Sequence, residues 1–245
     1  MPFKLGVATY SLRSFPRADA IRMLKELGVT YISVKEFHLK YTSTPEEIAA
    51  AKAEFAAAGL KVLSGGNIDL KGDEAKVRSM FEYAKAAGMP MMVCAPSHES
   101  LPIVEKLVKE YNIKAALHNH GPEDKEFPSP QSVLDAVKGM DARVGLCIDA
   151  GHTARTGADV VESVKMAGKR LLDMHIKDLG DMKESKSQVA VGEGKMPVKE
   201  LFAALRAMNY TGGVMLEYEI KSKEPLPGMK KSLEYMRGVV AGMES

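Results

Sequence analysis

Four short stretches set imidazole or carboxylate directly after an apolar run: AALHNHG (115–121), VGLCIDAGHTARTG (144–157), LLDMHIKD (171–178) and GGVMLEYE (212–219). Imidazole nitrogens and carboxylate oxygens together form a mixed donor shell that suits Mn²⁺, Co²⁺, Zn²⁺, Fe²⁺ or Mg²⁺. The same groups serve as general acids and bases near neutral pH. A charge at the end of a buried run is costly unless a partner or a cation accompanies it. Asp149, His175, Glu217 and the pair His118/His120 are therefore candidate ligands or proton carriers, and one bound divalent metal ion is the expected cofactor.

These residues need a scaffold that brings them together. Short β-branched runs alternate with longer Ala/Leu/Lys/Glu stretches of helical period, the pattern of repeated βα units around a parallel sheet. Strands are expected at about 5–11, 31–37, 61–66, 90–95, 113–119, 144–149, 171–177 and 212–218. Helices are expected at about 16–27, 44–58, 73–87, 99–110, 129–138, 157–169, 197–208 and 228–242. Thr44-Pro45-Glu46-Glu47 opens one helix with a cap residue and a Pro in the first turn, and Gly59 closes it. Eight units of roughly 30 residues fill the chain, so the expectation is an α/β fold, a single-domain (β/α)₈ TIM barrel over residues 1–245. In such a barrel the C-terminal strand ends build the active site, and every candidate above falls at one of those ends. Side chains alternate across a strand, so His118 and His120 share a face, as do Glu217 and Glu219.

The order HNHG, DAGH, HIKD, GEG and LEYE resembles the xylose-isomerase-like barrel superfamily, which includes sugar isomerases and epimerases, inosose dehydratases, keto-glycoside lyases and the endonuclease IV group. The resemblance covers all eight units. It implies a divalent ion held by Glu, Asp, His and Glu from strands five to eight, which become Asp149, His175 and Glu217 here. The chain departs at strand five, where the family's ENHG reads His118-Asn119-His120-Gly121. His118 is favoured as the fourth ligand, with Glu123 in the following loop as the alternative. The resemblance also implies a sugar or keto-sugar substrate, with a base removing a proton α to a metal-polarised carbonyl to give an enediolate. Glu217, His118 and Lys35 are the catalytic candidates. Isomerase or epimerase chemistry leads. A carbon–oxygen lyase that eliminates the β-oxygen of a keto-sugar or 3-keto-glycoside is the alternative, because His118 removes one of two opposed carboxylate bases. A non-catalytic sugar-binding barrel would be expected to lose Asp149, His175 or Glu217, and all three are present.

Other positions complete the expected site. In YISVKEFHLK (31–40), Ile32 and Val34 form the outward stripe, so Ser33 and Lys35 point into the barrel. Lys35 holds a substrate oxygen or acts as a base, against an ion pair with Glu36 or Glu217. His38 follows in the loop as a substrate contact. Lys177 shares a face with His175 and, by the resemblance, meets substrate oxygens, against a salt bridge to Asp149 or Asp178. His120 and His152 are expected to bind substrate or to orient the ligands. Arg155 is expected to be solvated, against reaching a carboxylate or phosphate. The polar stretch 177–197 reads as a lid or binding loop, and its GEG as a turn without P-loop spacing. With no Trp in the chain, a sugar would stack on Phe37, Tyr10 or Tyr218.

Bulk properties restrict the remaining classes. Thirty-four basic residues against 32 acidic ones give a net charge of +2. That balance argues against nucleic acid or an anionic membrane as a partner and favours a small-molecule substrate; a homo-oligomer is left open. Cys94 and Cys147 lie in apolar runs and are expected to be reduced core thiols. The N-terminus MPFKLGVATYSL carries no long apolar stretch, and no run of ~20 apolar residues follows. A cytoplasmic location follows by default unless a leader has been removed.

Overall fold

The computed structural model describes residues 3–244. Eight parallel strands close a barrel: β1 (Lys4–Ala8), β2 (Tyr31–Val34), β3 (Lys61–Asp69), β4 (Met91–Ala95), β5 (Lys114–His118), β6 (Val144–Asp149), β7 (Leu171–Ile176) and β10 (Gly213–Leu216), which pairs back onto β1. The helices around them are α1 (Arg17–Glu26), α2 (Pro45–Ala57), α3 (Glu74–Ala86), α4 (Leu101–Tyr111), α5 (Pro130–Ala136), α6 (Ala150–Arg155), α7 (Val160–Ala167), α8 (Val198–Ala207) and α9 (Leu226–Glu244). No helix among the described residues is long and apolar enough to cross a membrane.

Local chemistry explains the helix starts. Thr44 and Glu47 form a reciprocal capping box at α2, with Thr44 Oγ1 accepting from the Glu47 amide and Glu47 Oε2 from the Thr44 amide. Ser129 and Ser132 form a second capping box at α5, and the Asp73 and Asp159 carboxylates accept from first-turn amides of α3 and α7 that a helix start leaves open. Outward-facing strand residues such as Ile32, Val34, Leu117, Ile148 and Met174 pack against the helices in one extended core. Met91, Val93, Ala116 and Cys147 make a second, smaller cluster on the inward face. Both cysteines are buried and unpaired.

Several boundaries differ from the sequence reading. β1 stops at Ala8, and residues 9–12 form a 3₁₀ turn whose Ser11 hydroxyl accepts from the Tyr218 amide. β2 ends at Val34 rather than 37, because the Lys35 carbonyl turns to accept from the His38 and Leu39 amides. β3 continues three residues past the expected end, to Asp69, through a register shift between Gly65 and Ile68. Gly66 there has φ +119°, and a Cβ on it would come within 1.9 Å of the Val93 carbonyl oxygen, so only glycine allows the close approach. The helix expected at 157–169 is α7, and a further short helix, α6, precedes it at Ala150–Arg155. The stretch 177–197 is less irregular than expected: β8 (Asp178–Leu179) pairs antiparallel with β9 (Gln188–Val189). The Asp178 carboxylate then accepts from the amides of Gly192, Gly194 and Met196, which makes GEG a side-chain-anchored turn.

Candidate active site

Strand register aligns the polar strand ends in rows. His118 lies opposite Cys147 on β6, Asp149 opposite His175 on β7, and His175 opposite Met215 on β10, two residues before Glu217. His118 Nε2 is 3.1 Å from His175 Nδ1 and 3.5 Å from Asp149 Oδ2, and His175 Nδ1 is 3.4 Å from Glu217 Oε2. All four donor atoms lie within 4.8 Å of one another, and all four residues are buried. Ligands at ordinary Zn–N and Zn–O lengths around a tetrahedral ion stand about 3.4 Å apart. The donor types and spacings therefore fit a small divalent ion. Asp149 Oδ2 is fully buried and receives no well-directed hydrogen bond, which leaves a lone pair free for such a role.

The DAGH motif has a local reason. Asp149 is the cap residue of α6: its Oδ1 accepts from the His152 amide at 2.9 Å, and Oδ2 is left for the donor cluster. Gly151 leaves room for Lys177, whose Cβ would stand 3.2 Å from a Cβ on that glycine. Asn119 fixes the join, accepting from the Asp149 amide at 3.0 Å and donating to Thr153 Oγ1 at 3.1 Å.

Lys177 closes the open side of the cluster. Its ammonium is 2.9 Å from Asp149 Oδ2 and 3.0 Å from Glu217 Oε2, and it also pairs with Glu219. Lys35 reaches Glu217 Oε1 at 3.4 Å. Burial alone would push Asp149 and Glu217 upward, but the Lys177 ammonium and neighbouring imidazoles hold both well below the usual carboxylate range. Lys177 is driven the other way: burial opposes its charge, and three carboxylates outweigh that and raise its pKa well above the ordinary lysine value. Burial also keeps His118, His120 and His152 below the usual imidazole range, with Asp149 opposing it in each case.

Above the cluster the strand ends enclose a cavity of 310 Å³. His118, His120, His152, Lys35, Lys177 and Glu217 all face it, with Glu219 near the mouth. The rings of His118 and His120 are 4.3 Å apart. His120 is held from both sides, Nε2 by the Asn67 amide at 2.9 Å and Nδ1 by Asp124 at 3.3 Å. Tyr10, Phe37 and Tyr41 form an aromatic wall on one side.

Four expected residues lie elsewhere. His38 is 2% exposed and does not line the cavity; its Nδ1 bonds Thr9 Oγ1 at 2.9 Å because the chain folds back under the β2 end. Glu123 is outside the donor cluster, with a side chain 68% exposed and paired to Arg155. Tyr218 is buried in the outer core, against Gly228, away from the mouth. Arg155 is not solvated: its side chain is 8% exposed and packs on α6 with Nη1 3.2 Å from His152 Nδ1. Two residues were missed, Asn67 and Asn119. The first was hidden because the expected strand stops at 66, one residue short of it. The second is an inference from alternation, since Asn119 sits between two inward histidines and must point at the neighbouring backbone.

Residues 21–239 match the xylose isomerase-like TIM barrel family, and the chain belongs to it. Among its relatives, an inosose dehydratase of Mesomycoplasma hyopneumoniae is 26% identical over 155 residues, 56% of this chain and 51% of that protein. The chain thus spans about half the length of the first curated relatives it matches. A D-psicose 3-epimerase of Agrobacterium fabrum is 27% identical over 242 residues, 82% of this chain and 79% of the relative. The crystal structure of the IolI protein with a bound zinc atom superposes with a TM-score of 0.75 at 18% identity, over 98% of this chain and 99% of that one.

Proposed function

We propose that the protein is a divalent-metal-dependent sugar isomerase or epimerase. The observation that carries this reading is the buried quartet His118, Asp149, His175 and Glu217, with metal-compatible spacings, at the floor of a polar cavity. A D-psicose 3-epimerase and inosose dehydratases among the relatives support a sugar or keto-sugar substrate. A divalent ion held by those four residues supplies Lewis-acid polarisation of a substrate carbonyl when bound.

The remaining steps belong to the chain itself. Glu217 turns one oxygen toward the quartet and the other toward Lys35. The second oxygen takes the proton from the carbon α to the carbonyl, and the electron pair moves onto the carbonyl oxygen. The ammonium groups of Lys177 and Lys35 face the region where that negative charge develops and stabilise it without reorganising. His118 is committed to the quartet through Nε2, and its Nδ1 is buried without a partner. Proton return on the far side therefore falls to His120, whose Nε2 must first leave Asn67 while Asp124 keeps hold of Nδ1. His152, neutral at pH 7, binds a hydroxyl.

One observation favours a second reading, a carbon–oxygen lyase. The position opposite Glu217 carries imidazoles held neutral by burial instead of a second carboxylate base. An elimination needs one base and one acid for the departing β-oxygen, and His120 or His152 would be that acid in its protonated form. Incubation of metal-loaded enzyme in D₂O with ketoses and 3-keto-glycosides, followed by NMR, separates the two. Deuterium at one carbon of an intact sugar supports the isomerase or epimerase, and a released aglycone with an unsaturated or hydrated keto-sugar supports the lyase. Absence of exchange in both panels with metal bound refutes proton abstraction.

A further inference from the structure

The cavity is polar at its floor and aromatic at one edge of its mouth, and the two regions differ in depth. Lys35, His118 and Glu217 are 4–5% exposed, whereas Phe37 is 47% exposed. Phe37 and Met166 are the exposed large hydrophobic side chains among the described residues, and only Phe37 lines this cavity. The Phe37 ring meets Tyr10 edge to face, with centroids 5.7 Å apart.

Tyr10 is itself clamped. The Arg13 guanidinium lies 4.6 Å over its ring and donates to the Tyr10 carbonyl at 3.2 Å and to the Glu219 carbonyl at 2.7 Å. The rim is thus a braced aromatic corner tied to the same β10 end that carries Glu217. Tyr41 extends it inward, with its hydroxyl on the Asn67 carbonyl at 3.1 Å.

We infer that this corner is a subsite for a planar aromatic group carried by the substrate, which makes the substrate a glycoside or keto-glycoside rather than a free monosaccharide. The inference rests on the sugar reading above. A sugar ring on the floor places its hydroxyls against the lysines and imidazoles, and a substituent that projects toward solvent lies beside the Tyr10–Phe37 pair. An aromatic aglycone there completes an offset or edge-to-face arrangement and covers the exposed Phe37 ring. A bare monosaccharide leaves that ring in water.

Calorimetric titration of the metal-loaded protein with free, methyl β- and phenyl β-glycosides of glucose, galactose and xylose, together with cellobiose, tests this. For the sugar that binds, the phenyl glycoside is expected to bind about tenfold tighter than the methyl glycoside. Phe37→Ala, at an exposed position, is expected to erase that advantage, weakening the phenyl glycoside about tenfold more than the methyl glycoside, with the Tm unchanged. Phe37→Tyr is expected to keep it. The inference is overturned if phenyl and methyl glycosides bind alike, if Phe37→Ala weakens both equally, or if cellobiose gains and the phenyl glycoside does not. If no sugar or glycoside binds, the sugar reading itself fails, a result distinct from sugars that bind without a phenyl preference.

Discussion

Lys177→Met removes the cation that the metal-free site depends on most. The wild-type ammonium sits 2.9 Å from Asp149 and 3.0 Å from Glu217 with its side chain only 7% exposed. At an effective dielectric of about 20, each contact is worth roughly 5–6 kcal/mol of Coulomb attraction, much of it offset by desolvating the three groups. Breaking a buried pair by deleting one partner costs about 3–5 kcal/mol, because the other charge stays buried without compensation. For a chain of this size each kcal/mol shifts Tm by about 2–4 °C, so the variant is expected to melt roughly 6–20 °C below wild type in EDTA. The deficit should shrink as pH falls, because without Lys177 the burial of Asp149 and Glu217 raises their pKa values and protonation relieves the strain. A divalent ion replaces the missing charge, so added Zn²⁺ or Mn²⁺ should raise the Tm of the variant more than that of wild type. The assay is thermal unfolding by fluorescence or circular dichroism, with and without metal, at several pH values. Equal melting of the two proteins in EDTA, or a smaller metal effect in the variant, would refute the reasoning.

Two further outcomes are expected. Metal analysis of protein purified without chelator should find about one divalent ion per chain, Asp149→Ala and His175→Ala should lose it, and His118→Ala should weaken binding more than Glu123→Ala; full metal in the first two variants would sink the ligand assignment. The metal-free fold should also lose stability as pH falls from 7 to 5. Burial lowers His118, His120, His152 and His38 below their unfolded value of about 6.5, so the unfolded chain binds more protons in that window, at up to about 1.4 kcal/mol per pH unit for each histidine. The contribution of Asp149 and Glu217, whose pKa values are lowered, stays intact until pH falls below about 4, and only Asp173, raised by burial, pulls the other way. A Tm that is flat or rises between pH 7 and 5 in EDTA would contradict this.

The parts of the site that follow from alternation along one strand were legible in the sequence. His118 at the end of β5 with His120 just past it, and the inward Ser33 and Lys35 at the end of β2, needed only a period of two and a known barrel direction. The parts set by partners far along the chain were not. His38 reads as a mouth residue, but its ring bonds Thr9, 29 positions earlier, on a turn that replaces the expected end of β1. Arg155 reads as solvated because nothing local shows that α6 folds against the loop after β5 and lays the guanidinium between His152 and Glu123. Asn67 was lost for a different reason. The expected strand ends at the glycines 65 and 66, yet here they allow a bulge that carries β3 three residues further and delivers Asn67 to His120.

The departure at strand five has an electrostatic consequence that ties the site together. Around the quartet, the carboxylates of Asp149, Glu217 and Glu219 face the ammonium groups of Lys177 and Lys35, and burial keeps the adjacent His118 neutral. Counting the three carboxylates and two ammonium groups, the metal-free cluster carries one net negative charge, with Glu219 at its solvent-facing edge. A carboxylate in place of His118 would make it two and place a further charge against Asp149 and Glu217. A bound dication turns the present arrangement to one net positive charge, the sign that attracts an oxyanion developing on a substrate carbonyl. The imidazole at 118 thus does more than substitute one donor for another. Under the proposed function it would let the two lysines and a bound ion share one substrate oxygen, while the Glu217 oxygen that faces Lys35 takes the proton.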